Sequence, residues 1–419
     1  MAYFANRGVY VIGTDVNPST VQNINSGNVL IPNLERWLGF EIKPLVREGL
    51  IRATESWKDL LAEDIRVHLI AVPTERGGEP WNDPIIDVAT KLSQRTPTSK
   101  RPDLIIVEST LTPGTLDNVV ARTLQQKDRK VGVEYLVGVA PRRDWFESPE
   151  KNLKSLKRVI GGTTPETTEA MRRVLGLVCD NLIEATDHHV VEIVKSVENS
   201  ILHVCSVYAM QLSRAYPHIN VCEVLRLAST HWRIPLYYPS VGTGGYCVPV
   251  STKYVKSGAA CPEALGIADE TINYDVNQPI FIADLIGKKA GGSIGILGLA
   301  YKRDLKVHTL SPTIRIVERL RNLGKDVRVH DPFYTREEVL NIAGTETFQY
   351  PYELKAFGGL IIVPSHTLYE RTPRRTLFEN LRRGQVILDN LGTWERWRTD
   401  FLEIGINYHR VGDRDWCTG

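Results

Sequence analysis

Short apolar runs rich in β-branched residues recur along this chain and alternate with segments of helical character. In the first half these runs are residues 9–12, 67–74, 103–110 and 133–141. Short buried strands that alternate with helices are typical of a parallel, doubly wound sheet. Ligands of such a sheet bind at the carboxyl ends of its strands. The side chains that this chain places there are Asp15, Thr74, Ser109 and Thr110, and we expect them to bind a cofactor.

A helical segment and a second α/β unit follow. From about Val190 to Tyr216 there is neither glycine nor proline, and apolar residues recur at helical spacing. Strand-like runs resume at residues 293–302, 326–332, 358–364 and 385–392. We therefore predict a Rossmann-like domain over residues 1–185, a helical central domain over 186–285, and a second Rossmann-like domain over 286–419. A helix this long often packs against a second copy, so we expect a homodimer.

Composition and charge exclude several classes of protein. Lys and Arg number 51 against 49 Asp and Glu, which gives no electrostatic case for nucleic acid or an anionic membrane. The sequence has no export signal and no apolar run of membrane-spanning length. The six cysteines lack metal-like spacing, so we predict reduced thiols, no metal site, and a soluble cytoplasmic protein.

Asp15 follows a strand where a dinucleotide-binding fold places the carboxylate that binds ribose hydroxyls. The alternative, a turn aspartate that caps the next helix, is equally compatible with the sequence. A glycine-rich loop normally precedes the ribose-binding residue by about 20 positions, and the residues before Asp15 contain none. We therefore expect the first strand of the fold and its glycine-rich loop to be absent from this chain.

Five motifs, taken together and in order, resemble those of the UDP-glucose/GDP-mannose dehydrogenase family. They are VPT (72–74), ESTLTPGT (108–115), EIVKSVENS (192–200), HWRIPLYYPSVGTGGYCVPVSTKY (231–254) and GILGLAYKRD (295–304). The YYPSVGTGGYCVP loop is most similar to the branch that acts on N-acetylated UDP-hexosamines. The resemblance covers nearly the whole chain and implies NAD as cofactor and a UDP-sugar as substrate.

The resemblance implies oxidation of the sugar C6 alcohol to a carboxylate by two successive hydride transfers. Cys247 matches the nucleophile, which would carry a thiohemiacetal and then a thioester. A buried core thiol is the alternative for a lone cysteine, but the flanking glycines and Val-Pro favour an exposed turn. Lys195 and Asn199, one helical turn apart, match the pair that holds the reacting oxygen and a water. A solvated lysine is the alternative for Lys195.

Other matched positions are implied to bind the substrate: Arg158, Arg233, Tyr237, Gly242, Gly244, Gly245 and Lys302. Glycines at such positions allow the backbone to approach a phosphate closely, although turn glycines need no ligand. For Arg158, the alternative to substrate binding is a purely structural role.

Three positions depart from the family pattern, namely Arg142, Ser251 and Thr309, and Tyr246, where the most similar branch has histidine, is a milder change. Arg142 stands where a glutamate is expected to assist thioester hydrolysis, and an arginine does not deprotonate water at neutral pH. Asp144 and Glu147 are the candidate replacements. Ser251 replaces an aspartate and carries no charge, which alters proton handling near Lys195. Thr309 replaces an arginine and loosens a cofactor or interface contact.

These departures keep a second function open, a catalytically impaired paralogue that binds a nucleotide sugar as a scaffold or regulator. A related hydroxy-acid dehydrogenase of similar architecture is a third alternative. Such an enzyme has no need of the cysteine loop.

Overall fold

The computed structural model describes residues 1–28, 34–95, 101–125, 129–144 and 148–418. It divides into two compact units, which we call the N-terminal unit (Met1–Val197 with Ser257–Ala260) and the C-terminal unit (Glu198–Lys256 with Cys261–Gly419). The three-domain division with boundaries at 185 and 285 stays a prediction. In the described part of the chain, no helix has the length and apolarity needed to cross a membrane.

The described residues of the N-terminal unit form nine strands and the helices around them. The strands are β1 (Val11–Thr14), β2 (Ile51–Thr54), β3 (Val67–Ile70), β4 (Glu75–Arg76), β5 (Glu79–Pro80), β6 (Asp103–Val107), β7 (Tyr135–Val139), β8 (Arg158–Gly162) and β9 (Leu182–Glu184). The helices are α1 (Ala2–Ala5), α2 (Pro18–Asn25), α3 (Leu34–Leu38), α4 (Lys43–Arg47), α5 (Trp57–Ala62), α6 (Asp83–Ser93), a π-helix (Leu116–Ala121), α7 (Arg122–Leu124) and α8 (Pro165–Leu175). Helix α9 (His188–Ala215) begins in this unit and confirms the predicted long helix.

Two separate sheets form the strand framework of this unit, beside the short β4–β5 hairpin. One pairs β1 with β2 in parallel, and the other has the order β3-β6-β7-β8-β9. Among the described residues no strand pairs with both β1 and β3. Helix α1 contributes Phe4 to a core cluster that also holds Val11 of β1 and Ile106 of β6. The absence of a first strand and glycine-rich loop stays a prediction.

Strand β6 shows why these runs are apolar throughout. Ile105 and Val107 pack in one core cluster, and Ile106 packs in the other, with all three fully buried. Side chains of a strand alternate between the two faces of its sheet, so a strand covered on both faces requires a continuous apolar sequence.

The prediction of a purely parallel sheet is wrong at β8. This strand runs antiparallel to β7, with Gly138 opposite Gly162 and Val139 opposite Gly161. The two backbones approach closely, because a Cβ on Gly138 would lie 2.8 Å from the carbonyl oxygen of Gly161. Strand β9 then pairs in parallel with β8, and the sheet is mixed.

The described part of the C-terminal unit, which ends at residue 418, contains most of α9, five further strands and eight further helices. The strands are β10 (Ile294–Leu297), β11 (Val327–His330), β12 (Gly359–Ile362), β13 (Val386–Asp389) and β14 (Asn407–Arg410). The helices are α10 (Val221–Ala228), α11 (Cys247–Ser257), α12 (Gly266–Lys289), α13 (Pro312–Asn322), α14 (Arg336–Ala343), α15 (Thr367–Glu370), α16 (Arg374–Glu379) and α17 (Arg398–Glu403). Short 3-10 helices span Pro262–Ala264, Leu354–Ala356 and Glu395–Trp397.

The sheet of this unit is parallel throughout, in the order β11-β10-β12-β13-β14. This confirms the predicted second α/β unit. The strand order reverses at β10, and ligands of open α/β sheets bind at the carboxyl ends of the strands beside such a reversal. Residues 298–302 follow β10 directly and therefore occupy the expected ligand-binding edge.

Candidate active site

Three of the four predicted cofactor residues lie together in the N-terminal unit, at the ends of the neighbouring strands β3 and β6. The Thr74 hydroxyl donates a hydrogen bond to the carbonyl of Thr110 at 2.7 Å. The Ser109 hydroxyl donates to the carbonyl of Val72 at 2.7 Å. These bonds tie the two strand-end loops to each other and fix the backbone that borders this edge of the sheet.

Asp15 belongs to a different sheet from these three residues, since it directly follows β1. Its carboxylate accepts a hydrogen bond from the N–H of Asn17 at 2.8 Å. Asn17 is the residue that caps α2, through the N–H of Ser19, so the alternative for Asp15 is confirmed as a turn aspartate and is wrong as the helix cap. Beside it, the Thr14 hydroxyl is buried without a hydrogen-bond partner among the described residues. A half-buried carboxylate next to such a hydroxyl suits the ribose of a dinucleotide.

Arg158 is an interior residue of the N-terminal unit, with 2% of its surface exposed. Its Nη2 donates to the carboxylate of Glu108 and to the carbonyl of Ala140 at 2.6 Å. The structural alternative for Arg158 therefore has direct support, because the arginine joins the ends of β6 and β7 from β8. Its Nε and Nη1 are buried without partners in the described structure, and so Arg158 retains donors for a further acceptor.

Arg142 occupies the position where the family resemblance expects a glutamate. Its Nε and Nη2 donate to the two oxygens of Asp144 at 2.5 and 2.7 Å, and its Nη1 lies 3.8 Å from Glu108. Both oxygens of Asp144 are thus engaged, and the Asp144 side chain is 4% exposed. The pairing argues against Asp144 as the base that activates water. Glu147, the other candidate, lies outside the described residues.

Sequence reasoning missed Glu192, which lies on α9 and is 2% exposed. Its carboxylate accepts hydrogen bonds from the N–H groups of Gly114 and Leu116 at 2.9 and 2.6 Å. Burial raises the pKa of Glu192, and these two bonds oppose the rise. The carboxylate fastens the TPGT segment to α9. Its one sequence signal is its place in the EIVK motif, three residues before Lys195.

Lys195 and Asn199 lie one turn apart on α9, as predicted. Lys195 is partly buried, which disfavours the fully solvated alternative. Asn199 is 6% exposed, and its Nδ2 donates to the Ser251 hydroxyl at 3.1 Å. The helix thus presents the amide to a residue of the cysteine motif.

Cys247 is an exposed free thiol, which confirms the predicted exposure and makes the buried-thiol alternative wrong. It is the first residue of α11. The hydroxyl of Ser251, one turn later, donates to the Cys247 carbonyl at 2.5 Å. Ser251 therefore links Asn199 to the turn that carries the thiol, although it supplies no charge.

A carboxylate that sequence reasoning missed lies in the same buried network. Asp275 of α12 accepts a hydrogen bond from the Thr243 N–H at 2.8 Å and another from the Thr243 hydroxyl. Its Oδ2 is 3.2 Å from Nε2 of His203, whose Nδ1 lies 2.9 Å from the hydroxyl of Thr252. His203, Thr252 and Asp275 are all buried. The cysteine loop therefore has a negative charge behind it, at position 275 rather than 251.

The glycines before Cys247 are required by close packing. A Cβ on Gly244 would lie 2.5 Å from the Cβ of Tyr301, and Gly245 has a φ of +83° and faces the same ring. The N–H of Gly245 donates to the carbonyl of Thr309 at 2.8 Å. The structure thus brings the cysteine loop against the turn after β10, where Lys302 follows Tyr301.

The remaining predicted positions are less closely tied to this network. Arg233 is exposed and lies over the ring of its neighbour Trp232, at 4.6 Å. Tyr237 is partly buried, and burial together with nearby Cys205 raises its pKa. Gly242 has a φ of +133° and packs beside Pro279. Tyr246 is exposed.

Family models of the UDP-glucose/GDP-mannose dehydrogenases match three successive parts of the chain. The NAD-binding domain matches residues 1–178, the central domain 189–271, and the UDP-binding domain 295–396. The chain belongs to the UDP-glucose/GDP-mannose dehydrogenase family. NAD is therefore its cofactor, and the family resemblance predicted from the five motifs is confirmed.

Similar proteins support the N-acetylhexosamine branch of this family. The UDP-N-acetyl-D-mannosamine dehydrogenase of Campylobacter jejuni is 30% identical over 336 residues, which cover 76% of this chain and 79% of that protein. The enzyme of the same name from Pyrococcus horikoshii is 28% identical and covers 79% of each chain. The NDP-N-acetyl-D-galactosaminuronic acid dehydrogenase of Ralstonia solanacearum is 27% identical, covering 94% of this chain and 93% of its own.

The fold is also that of solved members of this dehydrogenase family. The UDP-D-ManNAc dehydrogenase structure from Pyrococcus horikoshii superposes with a TM-score of 0.85 at 25% identity, covering 99% of this chain and 96% of that one. A UDP-glucose dehydrogenase from Pyrobaculum islandicum gives 0.81 at 24% identity, covering 98% and 94%. The chain is thus an NAD-dependent nucleotide-sugar dehydrogenase by family, and its UDP-binding domain indicates a UDP-sugar substrate.

Proposed function

We propose that this dehydrogenase oxidises the C6 hydroxyl of a UDP-N-acetylhexosamine to the carboxylate through a covalent intermediate on Cys247. The observation that carries the proposal is the placement of Cys247. Its thiol is exposed at the start of α11, on a turn that Ser251 and Asn199 tie to α9. A buried hydrogen-bonded network beneath an exposed thiol suits a nucleophile that must be accessible and fixed in position.

The first oxidation converts the alcohol to an aldehyde. NAD⁺ held near Asp15, Thr74, Ser109 and Thr110 would supply the hydride acceptor for this oxidation, and a second NAD⁺ would supply it for the next. Lys195 would stabilise the developing alkoxide by its positive charge, and the amide of Asn199 would donate to the same region or hold a water. One N–H of Asn199 donates to Ser251, which leaves the second N–H and Oδ1 for the reacting oxygen or that water.

The second oxidation requires the thiol. The Cys247 thiolate forms a C–S bond with the aldehyde carbon, and the carbonyl oxygen becomes the hydroxyl of a thiohemiacetal once it takes a proton. Loss of a hydride from that carbon and a proton from that hydroxyl leaves a thioester. Water then breaks the C–S bond, which releases the carboxylate and returns the thiol. Arg142 supplies no base for this hydrolysis.

The binding roles follow the matched positions. Four residues would contact NAD, and Asp15 among them would bind the hydroxyls of a ribose. They are Asp15, Thr74, Ser109 and Thr110. Gly242, Gly244 and Gly245 would let the loop backbone approach the nucleotide sugar. Lys302 would lie near the phosphates of the nucleotide sugar. Arg233 and Tyr237 would cover the nucleotide sugar. Arg158 would act from its ion pair with Glu108, through the Nε and Nη1 donors that have no partner in the described structure.

We also propose that the enzyme is a homodimer that uses α9 and α10. Large apolar side chains are exposed on these helices, including Ile201, Tyr208, Val224 and Leu227. Exposed apolar patches of this kind mark interaction surfaces in soluble proteins. Ultracentrifugation should give twice the monomer mass, and Ile201→Asp combined with Leu227→Asp should shift the protein to monomer.

One observation favours the second candidate function, a nucleotide-sugar-binding protein with impaired catalysis. Arg142 and Asp144 neutralise each other where a hydrolytic base is expected. Such a protein would bind the UDP-sugar but would stall before or at thioester hydrolysis.

NADH formation with a panel of UDP-sugars separates the two functions. UDP-N-acetylmannosamine and UDP-N-acetylglucosamine should give two NADH for each uronate released, and more rapidly than UDP-glucose does. Calorimetric binding of a UDP-sugar without any NADH would contradict the proposal and support the second function. One NADH per bound sugar, with no uronate, would place the defect after the first oxidation.

A further inference from the structure

Two histidines and two aspartates form a compact cluster in the N-terminal unit that none of the roles above uses. The histidine–aspartate cluster consists of Asp117, Asp187, His188 and His189. His188 and His189 begin α9, and their rings lie 4.0 Å apart between centroids. Asp117 belongs to the π-helix. The cysteine spacing that led us to predict no metal site does not concern this cluster, since it contains no cysteine.

Asp187 lies beside Nδ1 of both histidines and is hydrogen-bonded to the ring of His189. One oxygen of its carboxylate lies 2.7 Å from Nδ1 of His189 and 3.3 Å from Nδ1 of His188. A carboxylate only accepts hydrogen bonds, so Nδ1 of His189 donates to Asp187, whereas the hydrogen bond of His188 runs from its Nε2 to Asp117. In the neutral ring of His189 the lone pair then resides on Nε2.

Both Nε2 atoms point to one other carboxylate. Nε2 of His188 lies 3.1 Å from one oxygen of Asp117, and Nε2 of His189 lies 2.9 Å from the other. One candidate ligand atom from each of these three residues lies within 4.8 Å of the other two. Because Nδ1 of His189 already donates to Asp187, its Nε2 requires a positive charge beside Asp117, from a proton or from a metal ion.

The donor set suits a metal of the zinc class. Imidazole nitrogen and carboxylate oxygen are common ligands of Zn²⁺ and of Co²⁺ and Ni²⁺. Histidine ligands usually donate their other N–H to a carboxylate, which orients the ring; Asp187 accepts this bond from His189 and lies 3.3 Å from Nδ1 of His188. His189 and Asp117 are about half exposed while His188 is nearly buried, so an ion has access to a partly fixed site.

We propose that Asp117, His188 and His189 bind one divalent transition-metal ion, with Asp187 holding both rings in place. The ion would join the start of α9 to the π-helix at Asp117. Glu192 joins α9 to the same region through Gly114 and Leu116. The metal would therefore stiffen the segment that follows Ser109 and Thr110, and water would complete its coordination.

Cobalt binding to the untagged, chelator-treated protein tests the proposal. We expect one equivalent of Co²⁺ with weak d–d absorption, displaced by Zn²⁺, and a higher unfolding temperature for the N-terminal unit with Zn²⁺. His189→Ala and Asp117→Asn should each weaken binding by about 100-fold or more, and Asp187→Asn by about 10- to 100-fold. An intense thiolate-to-cobalt charge-transfer band would show binding by cysteines instead and would overturn the proposal.

His218 supplies the matched control. It is an exposed histidine whose Nδ1 lies 2.7 Å from Asp415 in the C-terminal unit, and it lacks a second histidine neighbour in sequence. His218→Ala should bind cobalt as the parent does. Equal binding by His189→Ala and the parent, or no binding by the parent, would mean that protons alone hold the cluster together. Unfolding temperatures of the metal-free variants show whether a loss of binding reflects a loss of folding.

Discussion

The carboxylate of Asp275 accepts hydrogen bonds from both the backbone N–H and the hydroxyl of Thr243. Thr243 begins the TGGYC turn, and Asp275 lies 32 positions later on α12. The same carboxylate faces His203 of α9. One buried charge therefore fixes the loop that ends in Cys247, even though the family aspartate four residues after the cysteine is a serine here.

The variant Asp275→Asn tests how strongly the conformation of the loop 243–247 depends on the carboxylate of Asp275. The amide keeps the shape of the side chain but offers a single acceptor oxygen, so one Thr243 donor or His203 loses its partner. We expect a loss of about 1–3 kcal/mol in the free energy of unfolding, together with at least tenfold slower uronate formation. Urea unfolding followed by the fluorescence of buried Trp394 and Trp416 measures the first effect.

Asp284→Asn is the control for that variant, because Asp284 on the same helix pairs with Arg319 at a partly exposed site. It should change stability by less than about 1 kcal/mol. An Asp275→Asn protein that matches Asp284→Asn in both stability and activity would show that the loop does not depend on the charge.

Restoring the family glutamate at position 142 should lower the stability of the folded protein. In Arg142→Glu a third carboxylate would join Glu108 and the nearly buried Asp144, both of which now contact Arg142. We expect a loss of about 1–3 kcal/mol in unfolding free energy. This is below the usual figure for breaking a buried pair, because about a third of the Arg142 side chain (36%) is exposed.

Thermal unfolding of Arg142→Glu beside Arg173→Glu measures this effect. Arg173 is 75% exposed and pairs with Glu169, so its replacement should be nearly neutral. Unchanged stability of Arg142→Glu, with faster uronate release, would show that the position still accepts a catalytic glutamate.

The lowered pKa of His330 predicts that the free energy of unfolding falls at acidic pH. Burial, the largest cause, lowers its pKa from 6.5 to about 4, and Asp331 and His366 act in opposite directions on it. Between those values the unfolded chain binds a proton that the folded chain does not, so stability rises with pH across this window. His330 should account for up to about 3 kcal/mol of the loss between pH 6.5 and 4.

Urea unfolding of the parent and His330→Asn at several pH values in this window measures that share. The variant should show a smaller difference between pH 7.5 and pH 4.5, whatever its stability at neutral pH. A pH dependence identical to that of the parent would contradict the role assigned to the His330 ring.

Local sequence patterns were sufficient for the framework of the fold. The glycine-free and proline-free run within α9 predicted a long helix because helical spacing and the absence of breakers are local properties. Buried runs such as β6 and β12 predicted parallel strands for the same reason. The antiparallel β8 was not predictable, since it depends on the close approach of Gly138 and Gly161 from separate segments.

The candidate site was predictable where its residues belong to contiguous motifs. Cys247 was expected to be exposed from its glycine and Val-Pro neighbours, and it is. The partners that support it, His203 and Asp275, and the buried Glu192 come from other elements. These three side chains contact residues that are distant in sequence, and such tertiary contacts are not predictable from a local sequence pattern. Arg142 likewise differed from its family pattern without any sign in the sequence that Asp144 would bind it.

The central claim, covalent catalysis by Cys247, is tested most directly by comparing Cys247→Ser with Cys261→Ser. Both cysteines are exposed and free, and Cys261 has no assigned role. With UDP-N-acetylmannosamine and NAD⁺, Cys261→Ser should release uronate at the parent rate, and Cys247→Ser should be slower by about three orders of magnitude or more. Acid-quenched parent enzyme should carry the sugar nucleotide as a mass adduct on Cys247. Undiminished uronate formation by Cys247→Ser would contradict the account.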